Sequence, residues 1–193
     1  MNNKERLEQT KMNLIEATIK LMEQKDNPLE VISREIAREA GCNPAMINYC
    51  FGSREHLIYA VFEKLYKDYQ NSQEVATLIE EHLKPKDFLK KVYFQGAKFL
   101  TKNYNFAQAL GGFMLLKRDL GDSLSYQYVH EHYKGTRSIE DCKLIAYELS
   151  VMMHLIVCRK EDFKNSFGID VSNDDELKRI INMRVDLLLC DVD

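Results

Sequence analysis

Ile32 to Leu57 runs ISREIAREAGCNPAMINYCFGSREHL, and its punctuation is that of two short helices joined by a tight turn, then the capped start of a third. Ser33 can cap or open the first helix, and Ile36, Ala37 and Ala40 form its buried stripe. Gly41 ends it, because a C-terminal residue with positive φ costs glycine nothing. Asn43 caps the second helix and Pro44 takes its first position, where a missing N–H is harmless. The residue before a proline is pushed to extended geometry, which is what a cap needs. Ile47, Cys50 and Phe51 face inward, leaving Ala45, Met46, Asn48 and Tyr49 facing out. Gly52 breaks the chain, and Ser53 caps a helix that starts Arg54-Glu55-His56-Leu57.

This pattern is a helix-turn-helix, and the stretch resembles the tetracycline-repressor (TetR) family of bacterial regulators. The family's hallmark runs Thr-Thr-x-x-Ile-Ala-x-x-Ala-Gly, a small polar cap, a short helix ending Tyr-x-Phe, then Ser-Lys-Glu-x-Leu. The matches are Ile36-Ala37, Ala40-Gly41, Asn43, Tyr49-x-Phe51 and Ser53-Arg54-Glu55-x-Leu57. The departures are Ile32 and Ser33 for the Thr pair, Ala45 where Gly is common, Cys50 where an aromatic is common, and Arg54 for Lys. The resemblance covers residues 10 to 66. It implies an all-α fold: a helix-turn-helix DNA-binding domain over 1–66, joined by a long helix to a helical effector-binding and dimerisation domain over 67–193. The function it implies is that of a ligand-responsive transcriptional regulator. Such a protein binds a palindromic operator on double-stranded DNA as a homodimer, usually represses, and is released by a small-molecule effector.

Composition neither supports nor excludes this. A net charge of −3 does not advertise nucleic-acid binding, and the exposed faces alternate Arg34-Glu35 and Arg38-Glu39. Any DNA contact must come from a few placed residues and from helix N-termini. Eight glycines and three prolines in 193 residues favour helices over a sheet with many turns. The five cysteines have no CxxC spacing, and their odd number without a signal-like N-terminus points to a reducing cytoplasm. They read most simply as small buried apolar residues. No run reaches the ~18 apolar residues that a membrane span needs.

Along the chain, residues 1 to 10 read as a frayed start, and helix one runs to Gln24 on a stripe of Leu14, Thr18, Leu21 and Met22, widened by Ile15 and Ile19. Asp26-Asn27-Pro28 is a turn. The helix from Ser53 is long, with Leu57, Val61, Leu65 and Tyr69 spaced by four. Asn71-Ser72-Gln73 breaks it, and Val75 to Leu83 forms another helical piece. Pro85 opens a helix to Asn103, and Tyr104 to Leu120 follows. Gly111-Gly112 there permits a close helix crossing, a bend or room for a ligand. Asp122 or Ser123 caps a short helix to Tyr133, which Gly135 ends. Ser138 caps the next segment, and Ser172 or Asn173 caps the last helix.

Leu149 to Val157, LSVMMHLIV, is apolar nearly all round, so it is buried on more than one side. In a chain this short, a second copy is a plausible source of that second surface. The last two helices would then build a four-helix bundle across a two-fold axis, with Leu149, Ile156, Ile181, Val185 and Leu188 at the interface.

Chemistry is sparse. His130-Glu131-His132 is the one metal-like cluster, but residues two apart on a helix point about 200° apart. HExxH spacing, a nucleophile elbow and a phosphate-cradling glycine loop are all absent, so neither cofactor nor enzymatic activity is expected. The aromatic and methionine set reads most simply as core. The resemblance implies that part of it lines an effector pocket, here Tyr93, Gly96, Phe99, Phe113, Met114, Tyr147 and Met152, with Lys117 meeting an acidic group or solvating a helix end. The DNA contacts expected are Ser33, Arg34, Asn43, Pro44, Ala45, Met46, Asn48, Tyr49 and Arg54. Asn48 would read adenine, while Tyr49, Arg54 and Ser33 would meet phosphate. Two other classes compete: a helical protein-interaction module whose helix-turn-helix no longer reads DNA, and a small helical enzyme.

Overall fold

Asn2 caps the first helix, α1 (Asn3–Glu23): its side chain accepts from the Glu5 N–H at 2.9 Å, and the Glu5 carboxylate accepts from the Asn2 N–H at 2.9 Å. The expected frayed start is therefore helical. The structure is a computed structural model that describes residues 2–25, 27–116, 120 and 124–190, without the side chains of Leu110, Phe113 and Met114. Its regular structure is entirely helical, with no strand among the described residues.

The chain divides into two compact units between Gln70 and Asn71, slightly beyond the expected boundary at 66. In the first, α1 leads through a one-turn 3-10 helix (Pro28–Glu30) to α2 (Ser33–Glu39), α3 (Ala45–Phe51) and α4 (Arg54–Gln70). Helix α1 packs on α2, α3 and α4. Leu14, Met22, Val31, Ile36, Ala37, Ile47, Leu57, Val61 and Phe62 close the core between them. Ala40, Cys50 and Phe51, expected inside, are half-buried. Asp26 of the expected turn lies outside the described residues.

The second unit holds α5 (Gln73–Glu80), α6 (Pro85–Lys102), α7 (Tyr104–Leu116), α8 (Leu124–Tyr133), α9 (Ile139–Cys158), α10 (Lys160–Phe167) and α11 (Asp174–Leu188). Ser72, Ser138 and Asn173 cap α5, α9 and α11. The expected caps Asp122 and Ser123 lie outside the described residues. Helix α10 was not expected, because KEDFKNSF offers only Phe163 and Phe167 as an apolar pair and neither is buried.

Helix α9 is the hub: it packs against α6, α7, α8, α10 and α11. That explains the apolar run LSVMMHLIV without a second copy, since the chain's own helices surround it. The expected dimer residues are corrected accordingly. Leu149, Ile156, Ile181 and Val185 are at most 1% exposed in a single chain, and Leu188 is half-buried with its carbonyl accepting from the Tyr133 hydroxyl. The apolar side chains that α9 and α11 do expose are Ile139, Leu144, Tyr147, Met183 and Leu187. Gly111 marks a close crossing: a Cβ there would stand 3.3 Å from Cys158 Sγ, which donates to the Ala107 carbonyl. Gly112 faces open space. No helix is long and apolar enough to cross a membrane among the described residues.

Because these positions are core, Leu149→Ala should lower stability by about 2–5 kcal/mol in urea unfolding. Ile156→Glu should abolish the folded second unit instead of yielding folded monomers. Recovery of a monomeric Ile156→Glu protein with native helical dichroism would contradict this burial.

Candidate nucleic-acid interface

The turn between α2 and α3 is fixed by backbone geometry. Gly41 has φ +66°, and a Cβ there would meet nothing within 4 Å, so glycine is needed for the angle and not for space. Asn43 Oδ1 then accepts from the Ala45 N–H at 2.9 Å, capping α3 as expected, with Pro44 at its start. Ile47 is the anchor of α3 at 1% exposure. With it inward, Ala45, Asn48 and Tyr49 face solvent, Tyr49 at 72% exposure, and Met46 is half-buried. Neither the Asn48 amide nor the Tyr49 hydroxyl has a hydrogen-bond partner among the described residues.

Ser33 is the first residue of α2, and the cap position belongs to Ile32, which has no side-chain acceptor. Glu35, at the third helical position, supplies the reciprocal contact by accepting from the Ile32 N–H at 3.2 Å. Its carboxylate also pairs with Lys25 at 3.0 Å, and Glu39 pairs with Lys20. Both acids of α2 are thereby matched by lysines of the first helix and its C-terminal end. Arg34 and Arg38 are exposed and make no ion pair among the described residues. Arg and Glu alternate along α2, but the cations that match Glu35 and Glu39 are Lys25 and Lys20, distant in sequence, so this pairing was not legible locally.

Arg54 corrects an expectation. It does not project toward a ligand: Nε donates to the Val31 carbonyl at 2.6 Å, Nη2 donates to the Leu29 carbonyl, and Nη1 lies 3.5 Å from Glu55. The Glu30 carbonyl between them accepts from Lys25 Nζ at 3.4 Å. Ser53 caps α4 as expected, through the His56 N–H at 3.2 Å.

The expected pocket residues that are described differ in exposure. Phe99 is 39% and Tyr147 37% exposed, so both are surface side chains. Tyr93, Gly96 and Met152 are half-buried. Lys117 and the side chains of Phe113 and Met114 lie outside the described residues. What sequence reasoning missed is a polar knot in this unit: the Tyr93 hydroxyl meets Ser125 Oγ at 2.6 Å and Ser150 Oγ at 3.2 Å, joining α6, α8 and α9. A serine in each of α8 and α9 carries no local signal of such a partner. His130 rests by Tyr126, and His132 Nε2 lies 3.0 Å from the Cys190 carbonyl, so the two rings diverge.

No protein-family model matches this chain, and no curated protein matches it.

The Lys25 ammonium, then the Ile32 N–H, holds the Glu35 carboxyl below its ordinary range. A depressed folded value contributes stability above the unfolded value and loses it as pH falls through the folded one. Glu35→Gln should therefore be less stable than wild type at neutral pH, with the gap closing as pH drops below the ordinary carboxylate range. Thermal melts across pH test this; a gap that persists in acid would contradict it.

Proposed function

We propose that the first unit reads double-stranded DNA through α3, as a helix-turn-helix, and that the chain is a ligand-responsive transcriptional regulator similar to the TetR family, most simply a repressor. The observation that carries the reading is the outward face of the α2–α3 pair. It presents one free amide, Asn48, and one free phenol, Tyr49, beside the small side chain of Ala45. Arg34 and Arg38 of α2 are exposed cations whose neighbouring acids are already paired. A face of that kind has short side chains where base edges would approach and positive charge where phosphates would lie.

The asparagine amide offers one donor and one acceptor, the pattern of the adenine edge in the major groove. Ala45 suits a thymine methyl, so A·T pairs are expected at the positions read. Tyr49 and Arg34 serve the backbone. Selection of bound duplexes from random DNA is the direct test. On the selected site, Asn48→Ala should cost about 1–3 kcal/mol and blur preference at one base pair. Arg34→Ala should weaken all sequences alike and reduce the salt slope by about one per half-site. An unchanged preference profile in Asn48→Ala would sink the base-reading role.

A palindromic operator requires a dimer, and the exposed apolar side chains Leu144 and Tyr147 of α9 with Met183 and Leu187 of α11 supply a surface for one. Leu144→Glu with Leu187→Glu should leave the fold intact and shift sedimentation from dimer to monomer at micromolar concentration. A wild-type monomer under those conditions overturns the dimer. The effector would be a largely apolar small molecule held in the second unit. It releases DNA by preferring the arrangement that does not fit the operator.

A further inference from the structure

The connection from the 3-10 turn to α2 is short and extended: Val31 has φ −67° and ψ 120°, and Ile32 has φ −96° and ψ 152°. Extended chain outside a sheet has no backbone partners of its own. Here the partners are side chains. Arg54, at the first position of α4, supplies the Leu29 and Val31 carbonyls from Nη2 and Nε, while Lys25 supplies Glu30. The Arg54 side chain is only 26% exposed, so its donors are spent inward.

We infer that Arg54 is a positioning residue of the DNA-reading head, one that fixes the lead-in to α2, and hence the angle of the α2–α3 pair, against the start of α4. This rests on the DNA-binding reading above. The guanidinium is suited to it because its Nε and Nη2 donors are held in one rigid plane and reach two carbonyls at once. A lysine carries the same charge as a single point and cannot span both. The charge at this position is therefore not the functional quantity; the fork is. A phosphate contact would reverse that order, because any cation at the site would serve.

The consequence reaches α3. Val31 and Ile36 are fully buried, as are Leu57 and Val61 of α4, so the lead-in cannot shift without repacking the head. With the fork gone, α2 is held at its start by the Lys25–Glu35 pair and the packing of Ile36 and Ala37. The head still folds, but its reading face samples more than one angle.

Arg54→Lys separates the accounts, with Arg54→Ala beside it. In the free protein, amide hydrogen exchange over residues 30–36 should quicken in both variants, while exchange in α1 stays at the wild-type rate. On the selected duplex, both should bind about tenfold more weakly, since a charged hydrogen-bond pair is lost. Both should show a flattened preference across single-base variants and an unchanged salt slope. Rescue by Lys to wild-type affinity, or a slope reduced by about one per half-site, would overturn the positioning role in favour of a phosphate contact. Exchange over 30–36 unchanged from wild type in both variants would overturn it too. A wild-type protein that selects no duplex overturns the DNA reading instead. The two failures are distinct because the exchange measurement uses no DNA. Should Arg54→Ala fail to fold, the Lys variant decides alone.

Discussion

Three carbonyls, of Leu29, Glu30 and Val31, meet no backbone donor among the described residues, and two side chains answer for all three. A buried backbone acceptor left without a donor costs about as much as a lost hydrogen bond; Val31 is wholly enclosed, so the Arg54 bond to its carbonyl matters most, while Leu29 and Glu30 are exposed. Arg54 comes from α4 and Lys25 from the end of α1. The same Lys25 holds Glu35, which in turn caps the N–H of Ile32. A short chain of polar contacts thus joins three helices around the start of α2. The outward face of α3 inherits its orientation from that arrangement and from the positive φ of Gly41.

The second unit is governed by burial. Helix α9 touches five other helices, and its inward residues Cys142, Ala146, Leu149, Met153 and Ile156 leave almost nothing for solvent. Against that apolar centre, the half-buried Tyr93 and Ser150 hydroxyls and the buried Ser125 hydroxyl bond to one another. The ion pairs that link α6 to α11, Lys86 and Lys90 with Asp186, lie at the rim and depress the Asp186 carboxyl against the opposing effect of its burial. They add registry between helices more than stability.

The all-helical class and most helix limits were legible because caps and breakers act locally: Asn43, Ser53, Ser72, Ser138 and Asn173 all bond N–H groups two or three residues on. Contacts between distant segments were not legible. Arg54 bonds carbonyls 23 and 25 residues away, and a sequence pattern cannot tell an inward arginine from an outward one. The same limit misplaced the apolar face of α9. An all-round apolar helix announces that several surfaces cover it, but not whether they belong to its own chain. Tyr49, Asn48 and Ala45 were placed correctly on the outside because helical periodicity around Ile47 leaves them nowhere else.

The connection ahead of α2 also bears on how this sequence can drift. A carbonyl is the same group whichever residue carries it, so the bonds that secure positions 29 and 30 place no demand on the side chains there. Both are exposed, Leu29 at 43%. The demand is displaced onto residue 54, where only one side chain has the right fork, onto Lys25, which reaches the Glu30 carbonyl, and onto Val31, which is wholly enclosed. Substitutions can therefore accumulate at positions 29 and 30 while Arg54, far along the chain, and Lys25, ahead of the loop, hold its shape, and much of the information that specifies the loop is stored outside it.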